Sequence, residues 1–329
     1  MKIAIVILNW NGKALLQQFL PSVIKHSEDA DIYLADNAST DDSVSYTKQY
    51  FPQIKIIQNS ENGGYAKGYN DALQHVDADV FCLLNSDVEV TKNWLSPIIE
   101  AFKNDIDTAI IQPKLLDYNR KDYFEYAGAA GGFIDKFGYP YCRGRIFNTI
   151  EKDNGQYNDT TQIFWASGAC LFIRKDAFKS LKGFDDSFFA HMEEIDLCWR
   201  AKNLRFNVTY VGTSTVYHVG GATLSNANPK KTFLNFRNSL FTLVKNAYGN
   251  IFFLVLIRLL LDGIAGVKFI INFKPAHTLT IIKAHFSFYK HLPNLLKQRK
   301  ALNQRSKYYT KTSIVWSYFT LRKKHFNSL

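Results

Sequence analysis

The chain has 329 residues, 47% hydrophobic and 15% aromatic, enough to bury one large core or two modest ones and too apolar for a disordered protein. Its net charge of +11 is unevenly placed: from Lys230 onward there are 18 Lys and Arg against one acid, Asp262, whereas residues 1–229 hold 22 basic and 28 acidic side chains. The first part is thus −6 and the last hundred residues +17, a basic segment that calls for an anionic partner, either a membrane surface or nucleic acid.

The four cysteines, Cys82, Cys142, Cys170 and Cys198, contain no Cys-x-x-Cys pair, which argues against a zinc site or disulfide framework and fits a reducing compartment. Residues 1–6 enter an apolar run directly, without the pattern of an export signal, so a cytoplasmic location is expected.

Residues 2–8 form a short β-branched run, and residues 12–26 carry Leu15, Leu16, Phe19, Leu20 and Val23 at helical spacing, a β-α start. The connecting Asn9-Trp10-Asn11-Gly12 has no G-x-G-x-x-G pattern, which weighs against a dinucleotide-binding dehydrogenase. A second unit follows, with residues 32–35 as strand, Asp36 closing it, and Asp41 and Asp42 in the first turn of a helix to Tyr50. Residues 54–58 read as a third strand, followed by the loop Asn62-Gly63-Gly64-Tyr65-Ala66-Lys67-Gly68-Tyr69-Asn70 and a helix to Val76. Paired glycines before a helix either let backbone N–H groups approach an anion or simply make a turn.

The apolar run Val80-Phe81-Cys82-Leu83-Leu84 reads as a buried strand of a mainly parallel sheet and stops at Asn85-Ser86-Asp87. An acid at that end faces the crevice where open α/β sheets bind ligands, and can hold a divalent cation bridged to phosphates; the same tripeptide is also ordinary turn chemistry. Residues 94–102 read as a helix with Pro97 in its early part, residues 110–111 lie in another strand, and residues 117–160 form a long excursion with little periodicity. Residues 164–174 return as a strand through Trp165 and Gly168. A helix then opens with Glu193, Glu194 and Asp196, acids that suit the macrodipole whether or not they act on a substrate; Ile195, Cys198, Trp199 and Leu204 share one face, and Asp196 and Arg200 form an i,i+4 pair. Residues 208–211 and 215–217 are expected as two strands leading to His218, a structural histidine or a metal ligand.

In this order, Asn9-Trp10-Asn11-Gly12, Asp36-Asn37-Ala38-Ser39, the 62–70 segment, Leu84-Asn85-Ser86-Asp87, Gly168, Phe184-Asp185 through Arg200, His218 with Gly220-Gly221, and Arg237-Asn238 resemble the family 2 glycosyltransferases of the GT-A fold, rhamnosyltransferase-like branch. The resemblance implies an α/β, Rossmann-like, mainly parallel mixed sheet flanked by helices over residues 1–229, with a nucleotide-sugar half to about 115, an acceptor half from 116, and a helical basic extension over 230–329. It implies inverting transfer from a nucleotide diphosphate sugar to a saccharide or lipid-linked saccharide acceptor of a surface polysaccharide. A catalytically silent sugar-nucleotide-binding scaffold is the rival; a nucleotidylyltransferase is disfavoured by the lack of an N-terminal glycine-rich basic loop.

By the same resemblance Asp36 contacts a pyrimidine base, while Asn9, Asn11, Asn62, Gly64, Lys67, Asn70, Asn85 and Ser86 line the donor. Asp87 matches the metal-binding acid of an Asp-x-Asp signature whose first position is Asn85 here, and His218 matches a further ligand to Mg²⁺ or Mn²⁺. Glu194 takes the place of the general base, one methylene longer than the usual Asp, with Trp165, Glu193 and Asp196 on the acceptor side.

In the extension, residues 233–245 read as a helix. Residues 250–273 are nearly long enough to span a bilayer but are interrupted by Arg258, Asp262 and Lys268, so an interfacial amphipathic helix with these charges on its polar side is expected. Beyond it, residues 274–324 mix aromatic and basic side chains in the manner of segments lying on anionic lipid, which places the chain peripherally at the inner membrane face. A buried helical hairpin or a homodimer contact are the other uses of this region. No nucleic-acid-binding module is recognisable, so nucleic acid is not expected as a partner.

Overall fold

The computed structural model describes residues 1–220, 228–302 and 305–329. The β-branched runs of the first hundred residues become β1 (Ile3–Asn9), β2 (Ala30–Asp36), β3 (Lys55–Gln58) and β4 (Val80–Asn85), alternating with α1 (Lys13–His26), α2 (Ser43–Tyr50) and α3 (Gly64–Leu73). After the short β5 (Val88–Val90) come α4 (Leu95–Asn104) and β6 (Thr108–Asp117). The excursion holds its own small antiparallel sheet, β7 (Gly132–Ile134), β8 (Pro140–Cys142), β9 (Arg145–Ile146) and β10 (Thr149–Ile150). The main sheet is completed by β11 (Thr160–Gln162), β12 (Cys170–Arg174) and, after α5 (Lys175–Ser180) and α6 (Glu193–Asn203), β13 (Asn207–His218).

The strands run in the order β11-β13-β6-β12-β4-β1-β2-β3, with β5 also paired to β13. Strands β1 to β4 are mutually parallel, β12 is antiparallel to β4 and β6, and β13 is parallel to β6. Successive side chains of a strand point to opposite faces. Ile3, Ile5, Ile7, Val80, Cys82 and Leu84 therefore pack on one side with Leu16, Leu20 and Trp94. On the other side Ala4, Val6, Phe81 and Leu83 pack with Tyr69 and Ala72. Truncating a side chain as buried as Leu84 to Ala costs about 2–5 kcal/mol. All four cysteines are free and buried.

The structure corrects several boundaries. Residues 164–169 are irregular, and the strand there begins only at Cys170. The two expected strands after α6 are one, interrupted by an irregularity between Val211 and Thr215. The 62–70 loop is mostly helix, because Gly64, at φ +76°, ends the turn and α3 starts at once. Leu204 caps α6 in an exposed position instead of sharing its buried face.

The last hundred residues form α7 (Pro229–Asn246), α8 (Ile251–Ile271), α9 (Pro275–Ala301) and α10 (Ile314–Phe319). Leu240, Phe241, Leu243 and Val244 of α7 belong to the same apolar cluster as Leu197 and Cys198 of α6. Helix α8 reverses the expected polarity. Arg258 and Asp262 are buried against the protein: Arg258 Nε donates to Asp262 Oδ1 at 2.8 Å and its Nη2 to Ser239 Oγ at 3.0 Å, while Tyr139 Oη donates to Asp262 Oδ1 at 3.0 Å. A charge pair with this many partners can be buried, which leaves the apolar side of α8 facing outward. Among the described residues, no helix is long and apolar enough to cross a membrane.

Candidate active site

Parallel register sets Asn9 beside Asp36, and Leu8 beside Asn85, so the carboxyl ends of β1, β2 and β4 form one ledge. Asn9 Nδ2 lies 2.9 Å from Asp36 Oδ1, 3.1 Å from Ser39 Oγ and 2.9 Å from Ser43 Oγ. Asp36 also accepts from Ser39 N at 2.9 Å and Ser39 Oγ at 2.6 Å; it is fully buried, so here it shapes the wall of the ledge. Asn11, at φ +50°, accepts from Thr40 N at 2.7 Å and Asp41 N at 3.2 Å, tying the first loop to the second. Asn9 Oδ1 is buried with no hydrogen-bond partner among the described residues.

Asn62 Oδ1 accepts from Gly64 N at 3.1 Å, and Asn37 Nδ2 donates to Gly64 O at 2.9 Å, so the glycine turn is fastened to the ledge. A Cβ at Gly64 would stand 2.3 Å from Phe189 O, and Tyr65 N donates to that same oxygen at 2.8 Å. The turn and the segment ahead of α6 therefore touch. Lys67 pairs with Asp71 and lies 3.6 Å from Glu61, and Asn70 exchanges bonds of 2.9 Å with the Phe184 backbone, so both are engaged within the protein. Asn85 and Ser86 remain half-buried at the end of β4, with Ser86 near Gly12.

Asp87 lies just past that strand, and β5 aligns Val88 with His218 at the end of β13. The two side chains meet, Asp87 Oδ1 to His218 Nε2 at 3.2 Å, and His218 Nδ1 lies 3.3 Å from Glu125 Oε1. The second approach is ionic; its angle is not that of a hydrogen bond. Burial works against charge on both partners, yet His218 holds the Asp87 carboxyl below the usual range, while Glu125 and Asp87 raise His218 to about 10. Glu125 came from the excursion, where no motif marks it. Its signal is spatial: Glu125 N donates to Leu115 O at 3.0 Å, which registers it beside the end of β6. Gly221, Ala222 and Thr223 of the following stretch lie outside the described residues.

Among the described residues no three His, Cys, Asp or Glu side chains converge as a cage. One carboxylate and one imidazole, the latter giving up its proton to bind, would nonetheless fit a Mg²⁺ or Mn²⁺ ion that takes its other ligands from phosphate and water. Glu125 behind the imidazole is the carboxylate that commonly orients a histidine ligand.

Ahead of α6, Phe189, His191 and Met192 have φ of +63°, +69° and +73°, a left-handed run that costs non-glycine residues of order 1–3 kcal/mol each. Helix α7 holds it. Asn238 Nδ2 lies 3.0, 2.9 and 2.7 Å from the carbonyl oxygens of Phe188, Ala190 and His191, and Arg237 Nη2 donates to Ser187 O at 3.0 Å. Glu193 and Glu194 follow. Burial, and then the neighbouring Glu194 charge, push Glu193 well above the usual carboxylate range, and its Oε2 has no partner among the described residues. Glu194 is half-buried by surface yet enclosed by protein; this burial, opposed by backbone N–H groups at the helix start, raises it to about 7.

Two acceptor-side candidates do not reach the cleft. Trp165 is buried with Nε1 donating to Phe133 O at 2.8 Å. Asp196 is fully buried, accepting from Arg200 Nε at 2.8 Å, Lys245 Nζ at 3.0 Å and Asn246 Nδ2 at 2.8 Å, so it fixes α6 to α7.

Comparison with solved structures shows the same fold in GalNAc-T7 with UDP, GalNAc and Mn²⁺, at TM-score 0.62 and 15% identity over 98% of this chain and 56% of that one. The mannosyltransferase PcManGT from Pyrobaculum calidifontis, in complex with GDP-Man and Mn²⁺, gives 0.53 and 11%, covering 92% and 84%. The chain thus spans little more than half the length of the GalNAc-T7 structure. It is 24% identical, over 65% of its length and 75% of the relative's, to N-acetylglucosaminyl-diphospho-decaprenol L-rhamnosyltransferase of Mycobacterium tuberculosis (strain ATCC 25618 / H37Rv). It is 22% identical, over 63% of each chain, to the low-salt glycan biosynthesis hexosyltransferase Agl10 of Haloferax volcanii. Residues 4–182, more than half the chain, match the family model Glycosyl transferase family 2; the chain belongs to that family and is a glycosyltransferase.

Proposed function

We propose that this glycosyltransferase inverts the anomeric carbon of a nucleotide diphosphate sugar, rhamnose being the sugar favoured by the mycobacterial relative, and transfers it to a saccharide on a lipid carrier at the inner membrane face. The observation that carries the reading is the meeting of Asp87 and His218 at 3.2 Å past the carboxyl end of β4, and Glu194 follows, in the first turn of α6, the segment whose Phe189 O touches the Gly64 turn. The loops at Asn9, Asn11 and Asn62 form the nucleotide side, backed by Asp36, and Asn85 and Ser86 face the sugar diphosphate.

A Mg²⁺ or Mn²⁺ ion held by Asp87 and His218 would supply Lewis-acid charge to the leaving diphosphate. Glu194 takes the proton of the acceptor hydroxyl as its oxygen forms the bond to the anomeric carbon and the bond from that carbon to the diphosphate oxygen breaks. A carboxyl raised to about 7 is half in its basic form at neutral pH and holds a proton more tightly than an ordinary glutamate. Glu193 lies buried beside it, its carboxyl pushed well above the usual range by burial and by the neighbouring Glu194.

The test is transfer by the full-length protein from a panel of nucleotide sugars to lipid-linked saccharides with Mn²⁺, beside Glu194→Gln. Transfer or donor hydrolysis by the wild type, lost in the variant with nucleotide binding retained, supports the reading. Nucleotide binding with no turnover of any donor would leave a sugar-nucleotide-binding scaffold.

A further inference from the structure

We propose that the outward faces of α8 and α9 form a docking surface for an anionic lipid bilayer. This deepens the reading of a lipid-linked acceptor, but its evidence is separate. At about 100° per residue, Phe253, Leu256, Leu260, Ile264, Val267 and Ile271 fall on one stripe of α8, and all are exposed, Leu260 by 63%, Ile264 by 67% and Ile271 by 70%. The opposite ridge, Leu254, Arg258, Asp262 and Gly266, is the buried one. Helix α9 returns alongside: Thr278 Oγ1 donates to Gly266 O at 2.8 Å, and His285 Nε2 lies 3.2 Å from Asp262 Oδ2. It repeats the pattern, with Leu279, Ile282 and Phe286 exposed and His277, Ile281, Ala284 and Phe288 buried. An apolar stripe of this length is larger than the scattered exposed side chains of an ordinary surface.

Charge identifies the occupant. Lys268, Lys274, Lys283 and Lys290 are exposed along the same hairpin, and the sole side-chain carboxylate after residue 229, Asp262, is buried and paired. The surface therefore presents apolar and cationic groups without a side-chain acid. A two-fold contact with a second copy sets a patch against itself, which here brings cations together with no carboxylate to pair them. A bilayer with anionic headgroups takes both components, apolar side chains at the acyl boundary and lysines among phosphates.

The surface is also tied to the catalytic loop. Neighbouring residues of α7 face the two ways: Ser239 accepts from Arg258 of α8, and Asn238 holds the carbonyls of residues 188, 190 and 191 ahead of Glu194. The docking helix and the loop ahead of Glu194 are thus both fastened to α7.

Flotation of the full chain with phosphatidylglycerol-containing and with pure phosphatidylcholine vesicles tests the proposal, using wild type, Leu260→Glu/Ile264→Glu, and Ile106→Glu as an exposed apolar control away from the hairpin. Wild type and the control are expected to float with the anionic vesicles and less so in about 1 M salt, and the double variant to lose about tenfold or more of that binding. Lys268→Glu/Lys274→Glu, which leaves the apolar stripe intact, is expected to lose anionic-vesicle binding as well. Flotation of both double variants equal to wild type would overturn the proposal. So would a wild type that ignores vesicles and forms a dimer dissolved by Leu260→Glu/Ile264→Glu, which would give the surface to a second copy. Nucleotide binding, measured on each variant, separates failure of this surface from failure of the catalytic reading.

Discussion

Glu194 owes its basicity to where the chain leaves it: at the start of α6, enclosed by protein, in contact with helix N–H groups that only partly offset burial. If Glu194 is the base, as proposed, activity should rise with pH through a midpoint near 7, because the deprotonated form would take the acceptor proton and burial raises its pKa. Glu194→Gln should lower kcat by about 10²–10⁴-fold and abolish that rise without changing nucleotide affinity; an unchanged pH–kcat profile would assign the base elsewhere. Glu125 faces His218 Nδ1 at 3.3 Å, so Glu125→Gln should weaken Mn²⁺ affinity about 10–100-fold in calorimetry with a nucleoside diphosphate present, and metal-free Tm should fall as well, because the buried His218 loses a charge partner. At this scale sequence order placed Asp36 and His218 at strand ends and Asp87 just past one, where the structure has them. It was silent on Glu125, whose partner is 93 residues away and is reached through β6–β13 pairing. It misjudged Asp196, because an acid in a first helical turn looks the same whether it meets a substrate or the buried Lys245.

At the scale of elements, two helices do more than fill the core. Helix α7 stabilises a left-handed run that non-glycine residues avoid, through one asparagine amide and one guanidinium. Asn238→Ala takes the side-chain amide from the carbonyls of Ala190 and His191, while Phe188 O keeps Ala190 N and Arg237 Nη2; it should destabilise by about 1–3 kcal/mol in urea unfolding and depress kcat more than nucleotide affinity. Helix α8 depends on its buried pair: Asp262→Ala strands Arg258 in the interior and should cost about 3–5 kcal/mol, read as a loss of Tm, whereas an exposed i,i+4 pair would cost a few tenths. Periodicity identified α8 as a helix with charges on one side. Which side faced the protein was not legible, because it depends on Tyr139, Ser239 and His285, partners that no local pattern announces. The continuous apolar runs of β1 and β4 were readable because both of their faces are covered; the stretch 164–169 is nearly as buried, with Ser167 and Gly168 in it, yet irregular, and it shows that burial alone does not make a strand.

For the whole molecule, charge is divided by role. Acidic residues are concentrated in the catalytic part and basic ones in the helical part, and the two meet at buried ion pairs. Lys245 Nζ lies 2.6 Å from Asp185 Oδ2; against the effect of burial, this cation brings the Asp185 carboxyl down to about 2. A carboxyl depressed on folding adds stability above its unfolded pKa, and that stability is lost as pH falls from about 4 towards 2. Wild type should exceed Asp185→Asn by roughly 2 kcal/mol in urea unfolding at neutral pH, with the gap closing in acid. The most direct test of the central claim, that Asp87 and His218 together hold the metal-bound diphosphate of a donor, is calorimetric titration of nucleoside diphosphates with and without Mn²⁺ into wild type, Asp87→Asn and His218→Ala. Binding of at least one nucleoside diphosphate that Mn²⁺ tightens in the wild type, and fails to tighten in either variant, is the expected result. Equal Mn²⁺ dependence in all three proteins would contradict it.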